Sequence, residues 1–251
     1  MLAVRACATS IVLFLLTAGP ALAWTPETRV YMADQAIKFM PQSLRLALEK
    51  HRRDVMRGVL EPMVQEDAPE HQAPWLDGSL DRQLDAEARA LIAALGEQTP
   101  FSQISERFGR LGHFVMDAAF PPGVGDTGAE RYADFAAYCE AKLDKFPLVF
   151  YGHEDEALEA ADFGRFALRL MEDARREDGE LSRAYATADG KPGIDAFDDR
   201  SIPFAVGSLS YSHCITDIVR TWLAVWRLAG GDMGRTPYLE PATEPSTSGG
   251  P

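Results

Sequence analysis

Two long segments constrain this chain most, because their apolar residues recur at helical spacing on more than one side. The first opens at Thr99-Pro100 and stops at Pro121-Pro122. Ile104, Phe108, Leu111 and Val115 form one stripe, and Phe114, Met116 and Phe120 fall outside it. A helix apolar on several sides must be enclosed by others. The second covers 202–229, carries Ile215, Ile218, Val219, Trp222, Val225 and Trp226, and ends at Gly230-Gly231. Its length suits a central core helix.

Shorter amphipathic segments supply the enclosure. Thr25-Pro26-Glu27 is a cap, a first-turn proline and an early acid, after which Val30, Ala33, Ile37 and Met40 precede a stop at Pro41. Further helices are expected over 43–59, 80–95, about 129–143 and 154–176. The stretch 61–78 has three prolines and no helical period, a long loop of the functional kind. The acidic, glycine-bearing 179–200 stretch is expected to be irregular. With no β-hairpin, repeat, glycine-rich phosphate loop or EF-hand loop, the expected fold is an all-α multi-helix bundle. One helical domain would span 24–235, and the Ser/Thr/Gly/Pro composition of 236–251 gives a flexible tail.

Residues 1–23 have the form of a secretory signal: Arg5, the apolar run Ile11 to Leu16, and Ala21-Leu22-Ala23 before a cut that would leave Trp24 first. That run is too short to span a bilayer, and nothing later reaches 18 uninterrupted apolar residues. The expectation is an exported, periplasmic or secreted protein without a transmembrane anchor. A formal charge of −13 argues against general nucleic-acid binding. Cys7 would leave with the signal. Cys139 and Cys214 remain in an oxidising compartment, where a bridge between them competes with two buried thiols.

His113 and Asp117 form the sharpest local feature. Residues four apart share a helix face, so an imidazole and a carboxylate can converge on one cation, although a buried hydrogen-bonded pair has the same spacing. His213 and Asp217 repeat that spacing on the last helix, where a core or boundary histidine is the stronger reading. Trp75, in the long loop, is placed either at a ligand-contacting rim or as a loop anchor.

Trp24 directly after the cut, Thr28-Arg29 in the first helix, Gly58-Val59-Leu60-Glu61-Pro62, and the run from Leu111 through His113 and Asp117 to Pro121 resemble the zinc-dependent phospholipase C and fungal single-strand nuclease family. The resemblance covers about 24–138. It implies a helical fold, phosphate-ester hydrolysis at a three-zinc cluster, and a phosphate-ester or phospholipid ligand. It assigns metal ligation to Trp24, through its amino group and carbonyl, to His71 and to the pair His113 and Asp117. Asp67 or Glu66 would replace a ligand that is Met63 here. Glu130 and Asp134 keep the spacing of a ligating pair without its histidine. Two further ligand positions hold Arg29 and Gly123, and neither residue ligates a metal. These departures argue against a full three-zinc cluster and leave at most one zinc or other divalent cation. Two readings follow: a hydrolase in which Asp117 holds the metal and Arg29 clamps the phosphate, or a non-catalytic relative in which Arg29 pairs with internal acids. A periplasmic binding or assembly module is the remaining class.

Overall fold

Prolines and caps set most helix boundaries. The computed structural model describes residues 23–65, 67–125 and 129–239, with 129 and 130 described by backbone alone. Residues 1–22, all of the expected signal 1–23 but Ala23, and residues 240–251 of the expected tail lie outside the described residues. Among the described residues eleven α-helices follow in order: α1 (Pro26–Lys38), α2 (Gln42–Lys50), α3 (Arg52–Leu60), α4 (Leu80–Gly96), α5 (Phe101–Ala118), α6 (Pro121–Val124), α7 (Ala129–Lys142), α8 (Glu156–Glu159), α9 (Phe163–Tyr185), α10 (Gly193–Ala196) and α11 (Ile202–Leu228). The described residues contain no strand, and no helix is long and apolar enough to cross a membrane. The all-α expectation holds.

Helix α1 starts where Thr25 accepts the Thr28 N–H at 3.3 Å, and α11 starts where Ser201 accepts from Phe204. The two segments read as central are central. On α5, Leu111, Val115 and Met116 are fully buried, and so are Ile215, Ile218 and Trp222 on α11. Trp222 lies over Gly112, where a Cβ would meet its ring at 3.1 Å, and edge-on to Phe108 with centroids 5.7 Å apart. Glycine also lets α3 and α5 touch backbone to backbone. A Cβ on Gly58 would stand 1.9 Å from the Glu106 carbonyl oxygen, and one on Gly109 would stand 2.0 Å from that of Val55.

Several boundaries differ from expectation. The helix expected over 43–59 breaks at His51 (φ −106°, ψ 26°), so Leu44 and Leu48 of α2 and Val55 and Val59 of α3 enter the core along separate axes. The helix expected from 154 is interrupted at Ala161, whose φ of 56° ends α8, and Asp162 caps α9 by accepting the Arg165 N–H. Helix α9 then runs through Gly179 to Tyr185, where an irregular stretch was expected, because Leu181 and Ala184 bury the same face as Leu170 and Ala174. The long loop consists of three 3-10 turns at Glu61–Gln65, Pro69–His71 and Pro74–Leu76. Residues 236–239 were expected to belong to a flexible tail. Of these, Thr236 is buried, and the Tyr238 ring, itself mostly exposed, lies beside Phe39 and Phe150.

The expected Cys139–Cys214 bridge is not formed. Both are buried free thiols, and burial pushes both pKa values well up, which leaves them unreactive. The Cys139 sulfur sits 3.0 Å from the Cβ position of Gly207. Cys214 is two helical turns further along α11, about 10 Å, beyond the reach of a disulfide from that level.

Candidate metal centre

Four polar side chains meet inside the bundle: Arg29 of α1, His71 from the Pro69–His71 turn, and His113 and Asp117 of α5. Arg29 and His113 are fully buried, and Asp117 and His71 are 4% and 8% exposed. Burying charge is costly unless it is paired, and here it is paired from several directions. Arg29 Nη2 donates to Asp117 Oδ1 at 2.6 Å, and Arg29 Nε donates to the Trp24 carbonyl at 2.9 Å. His71 Nδ1 lies 2.7 Å from Asp117 Oδ2, so it carries the proton and donates.

The tautomer of His113 follows from its neighbour. Its Nδ1 is 2.7 Å from the Val59 carbonyl, which can only accept, so Nδ1 bears the hydrogen. The 3.2 Å approach of Arg29 Nη1 to that same nitrogen is therefore a contact between two donors, and Nη1 faces the His113 carbonyl at 3.4 Å instead. This leaves Nε2 with its lone pair directed into the cluster, 3.1 Å from Asp117 Oδ2 and 3.3 Å from His71 Nδ1. Burial lowers the His113 pKa, with Asp117 opposing and Arg29 adding to the shift, so the ring stays neutral. Burial pushes Asp117 upward, but the charge of Arg29 and the N–H groups of Arg29 and His71 outweigh this and hold its carboxyl well below the usual range. The permanent charge of Arg29 is sufficient reason for that direction.

One N–H of His71 thus faces two acceptors, His113 Nε2 and Asp117 Oδ2. The three atoms form a triangle of the size that a small cation needs: tetrahedral zinc with bonds of about 2.0 Å spaces its ligands about 3.3 Å apart. His71, His113 and Asp117 could hold a metal ion, their donor atoms all lying within 4.8 Å of one another. Binding would displace the shared proton, as metal sites require. Arg29 cannot join the ligands, and it already takes up the second oxygen of Asp117.

The other candidates separate from this cluster. Trp24 faces it through its carbonyl alone, with its ring edge-on to Phe120 at 4.9 Å between centroids. Asp67 is exposed, because the turn after it points its carboxyl to solvent and uses its carbonyl to accept from Gln72 at 2.9 Å. Asp134 accepts from the Tyr185 hydroxyl at 2.6 Å and the Gly193 N–H at 2.8 Å, at a junction of α7, α9 and α10, and is not part of the His71–His113–Asp117 group. The side chains of Glu66 and Glu130 lie outside the described residues. Trp75 donates from its indole to the Val124 carbonyl at 2.8 Å, with Arg175 over its ring, and so anchors the loop. His213 and Asp217 lie on α11, line a cleft with residues of α9, and are not part of the His71–His113–Asp117 group. What sequence reading missed is the Val59 carbonyl, since main-chain partners carry no residue signature. Gly58 and Gly109, whose contact brings that carbonyl beside His113, were its one trace.

No protein family matches the chain, and no curated protein sequence is similar to it. A solved structure does match: the fold resembles that of Clostridium perfringens alpha-toxin from an avian strain, with a TM-score of 0.56 at 11% identity. The match covers 85% of this chain and 66% of the alpha-toxin chain. At that identity, what the two proteins share is the fold.

Proposed function

We propose that this is an exported phospholipase C-like protein whose metal centre is reduced to one cation position, His71–His113–Asp117, and which serves a structural or binding role without hydrolysing phosphate esters. One observation carries the reading: Arg29 is fully buried and bonds both the Trp24 carbonyl and Asp117, two groups that the family resemblance assigns to metal. A guanidinium bonded there supplies positive charge permanently and leaves less demand for further cations. A cation at the triad would supply Lewis acidity and a water of lowered pKa. Hydrolysis would also require a phosphoryl oxygen and that water to reach it, and side chains between fully buried and 8% exposed leave little approach. Export rests on Arg5, the apolar run and Ala21-Leu22-Ala23, and implies Trp24 as the mature N-terminus.

The donor set favours a second reading. Three ligands from two histidines and one carboxylate, with a fourth corner free, are the composition of catalytic zinc sites, so a hydrolase opened by motion of the 61–78 loop would use the same residues. Secreted protein beginning at Trp24 is titrated with zinc at neutral pH while bound metal, proton release and bis(p-nitrophenyl) phosphate hydrolysis are followed, beside a His71→Ala variant. At most one zinc per chain, proton release on binding, loss of the site in the variant and no turnover are expected. Turnover that rises with zinc and disappears in the variant would replace the proposal with the hydrolytic reading. Three bound zincs would sink both assignments of Arg29.

A further inference from the structure

His71, His113 and Asp117 are 8%, 0% and 4% exposed, so a cation reaches them only when a neighbouring element moves. His113 and Asp117 stand on α5, which has no room to yield. Gly58 and Gly109 hold its backbone against α3, and Trp222 lies over Gly112. His71 stands on a loop, and the loop is held differently.

Residues 67–79 are bonded largely to one another. The Gln72 side chain donates to the Asp67 carbonyl at 2.9 Å, the Ser79 N–H to the Pro69 carbonyl at 2.7 Å and the Gly78 N–H to the Ala73 carbonyl at 3.1 Å. Gly78 is required there, because a Cβ would stand 2.0 Å from the Gln72 carbonyl oxygen. A loop closed on itself in this way can shift as one body. Its only fully buried side chain is the small Ala73, so little apolar contact holds it down.

Among the described residues, two members of this loop hydrogen-bond to the bundle beyond the start of α4. One is His71, which donates into the cluster. The other is Trp75, whose indole donates to the Val124 carbonyl at 2.8 Å while Arg175 of α9 lies 5.2 Å over its ring. The acceptor is fixed, since the end of α6 lies directly on α9: a Cβ on Gly125 would stand 1.9 Å from Asp178 Oδ2. His71 exchanges its bonds when a cation binds, whereas the Trp75 contacts involve none of the ligand atoms.

We propose that the Trp75–Val124 tether latches the 67–79 loop over the metal centre, and that its release admits a cation to His71, His113 and Asp117. The latch presupposes the cation site of the preceding section, and Trp75 acts through His71 as a positioning residue. Because the tether holds the loop equally before and after binding, it sets how fast a cation enters and leaves and not how tightly it is held.

Trp75→Phe keeps a ring beneath Arg175 and removes the indole N–H. In the metal-free mature chain at neutral pH, diethyl pyrocarbonate should acylate His71 about fivefold faster in this variant than in wild type, the worth of one neutral hydrogen bond. Unchanged rates at His51, His153 and His213 show that the opening is local and not global unfolding. With zinc, the rate of entry and the rate of loss to a chelator should both rise about fivefold while the dissociation constant stays within about twofold. Trp75→Ala, which also gives up the Arg175 contact, should exceed Trp75→Phe in both rates. An unchanged His71 acylation rate in folded Trp75→Phe would overturn the latch, as would a dissociation constant that rises with no change in the entry rate. A wild type that binds no zinc would sink the cation site itself, and the acylation rates would still decide for or against the latch.

Discussion

His113–Asp117 on α5 and His213–Asp217 on α11 have the same spacing on the two central helices, yet their carboxyls meet opposite fates. Asp117 receives donors from two other elements, Arg29 of α1 and His71 of the loop, and its pKa is held well below the usual range. Asp217 is as deeply buried but has one partner, Arg220. Burial wins over that arginine and Arg169, and its pKa is pushed up to about 6. The histidines diverge in the same way: His113 is locked by a carbonyl and directed at its aspartate, whereas His213 lies flat on Tyr151. Depth of burial alone therefore does not decide the ionisation of a carboxylate; the number of donors that reach it does.

Removing the cation from the richer of the two sites should have the largest effect. Arg29→Leu leaves Asp117 buried and short of its permanent charge, and a loss of about 3–5 kcal/mol in urea unfolding is expected. Arg29→Lys retains charge without the fork and should fall between wild type and the leucine variant. A leucine variant as stable as the wild type would mean that Asp117 does not depend on Arg29.

The pH dependence comes next, and the two aspartates should act with opposite signs. For Asp117 the folded value is depressed, so its contribution is complete above the ordinary 3.8 and is lost as pH falls from there through its lower folded value. For Asp217 the folded value is raised, so the advantage of its protonated form is complete below 3.8 and is lost as pH rises through about 6. Ionising it in place costs about 3 kcal/mol. Asp217→Asn should therefore gain about that much relative to wild type between pH 4 and pH 8. Unfolding curves at the two pH values measure this, and parallel curves would show that Asp217 is not buried as described.

The smallest effect concerns the stacked histidine. Tyr151→Ala removes an aromatic pair worth about 1 kcal/mol and should lower the unfolding midpoint slightly while leaving zinc binding at His71 and His113 unchanged. A change in zinc affinity would show that the two regions are coupled.

The helices of the core were readable because apolar spacing survives in any bundle: the periods of 101–118 and 202–228 identify buried helices whatever surrounds them. His113 and Asp117 were readable as a pair because their spacing is local, and Arg29 could be read as an internal partner because a guanidinium has no other buried use. Breaks were less readable. The residue at 51 carries no helix-breaking signal, and α9 passes through Gly179 because burying Leu181 offsets the modest cost of a glycine in a helix.

Sequence by itself therefore determined the all-α class, the two central helices and the candidate pair on α5. The family resemblance had put His71 and Arg29 beside that pair, and tertiary structure decided which of the remaining candidates join it and how. His71 arrives from a loop 42 residues before His113, Asp67 and Asp134 turn elsewhere, and the Val59 carbonyl selects the tautomer. It also decided that Cys139 and Cys214 stay apart and that Asp217 differs from Asp117. Local spacing places residues on a face, whereas the donors, acceptors and charges that set their chemistry come from whichever helix packs against that face.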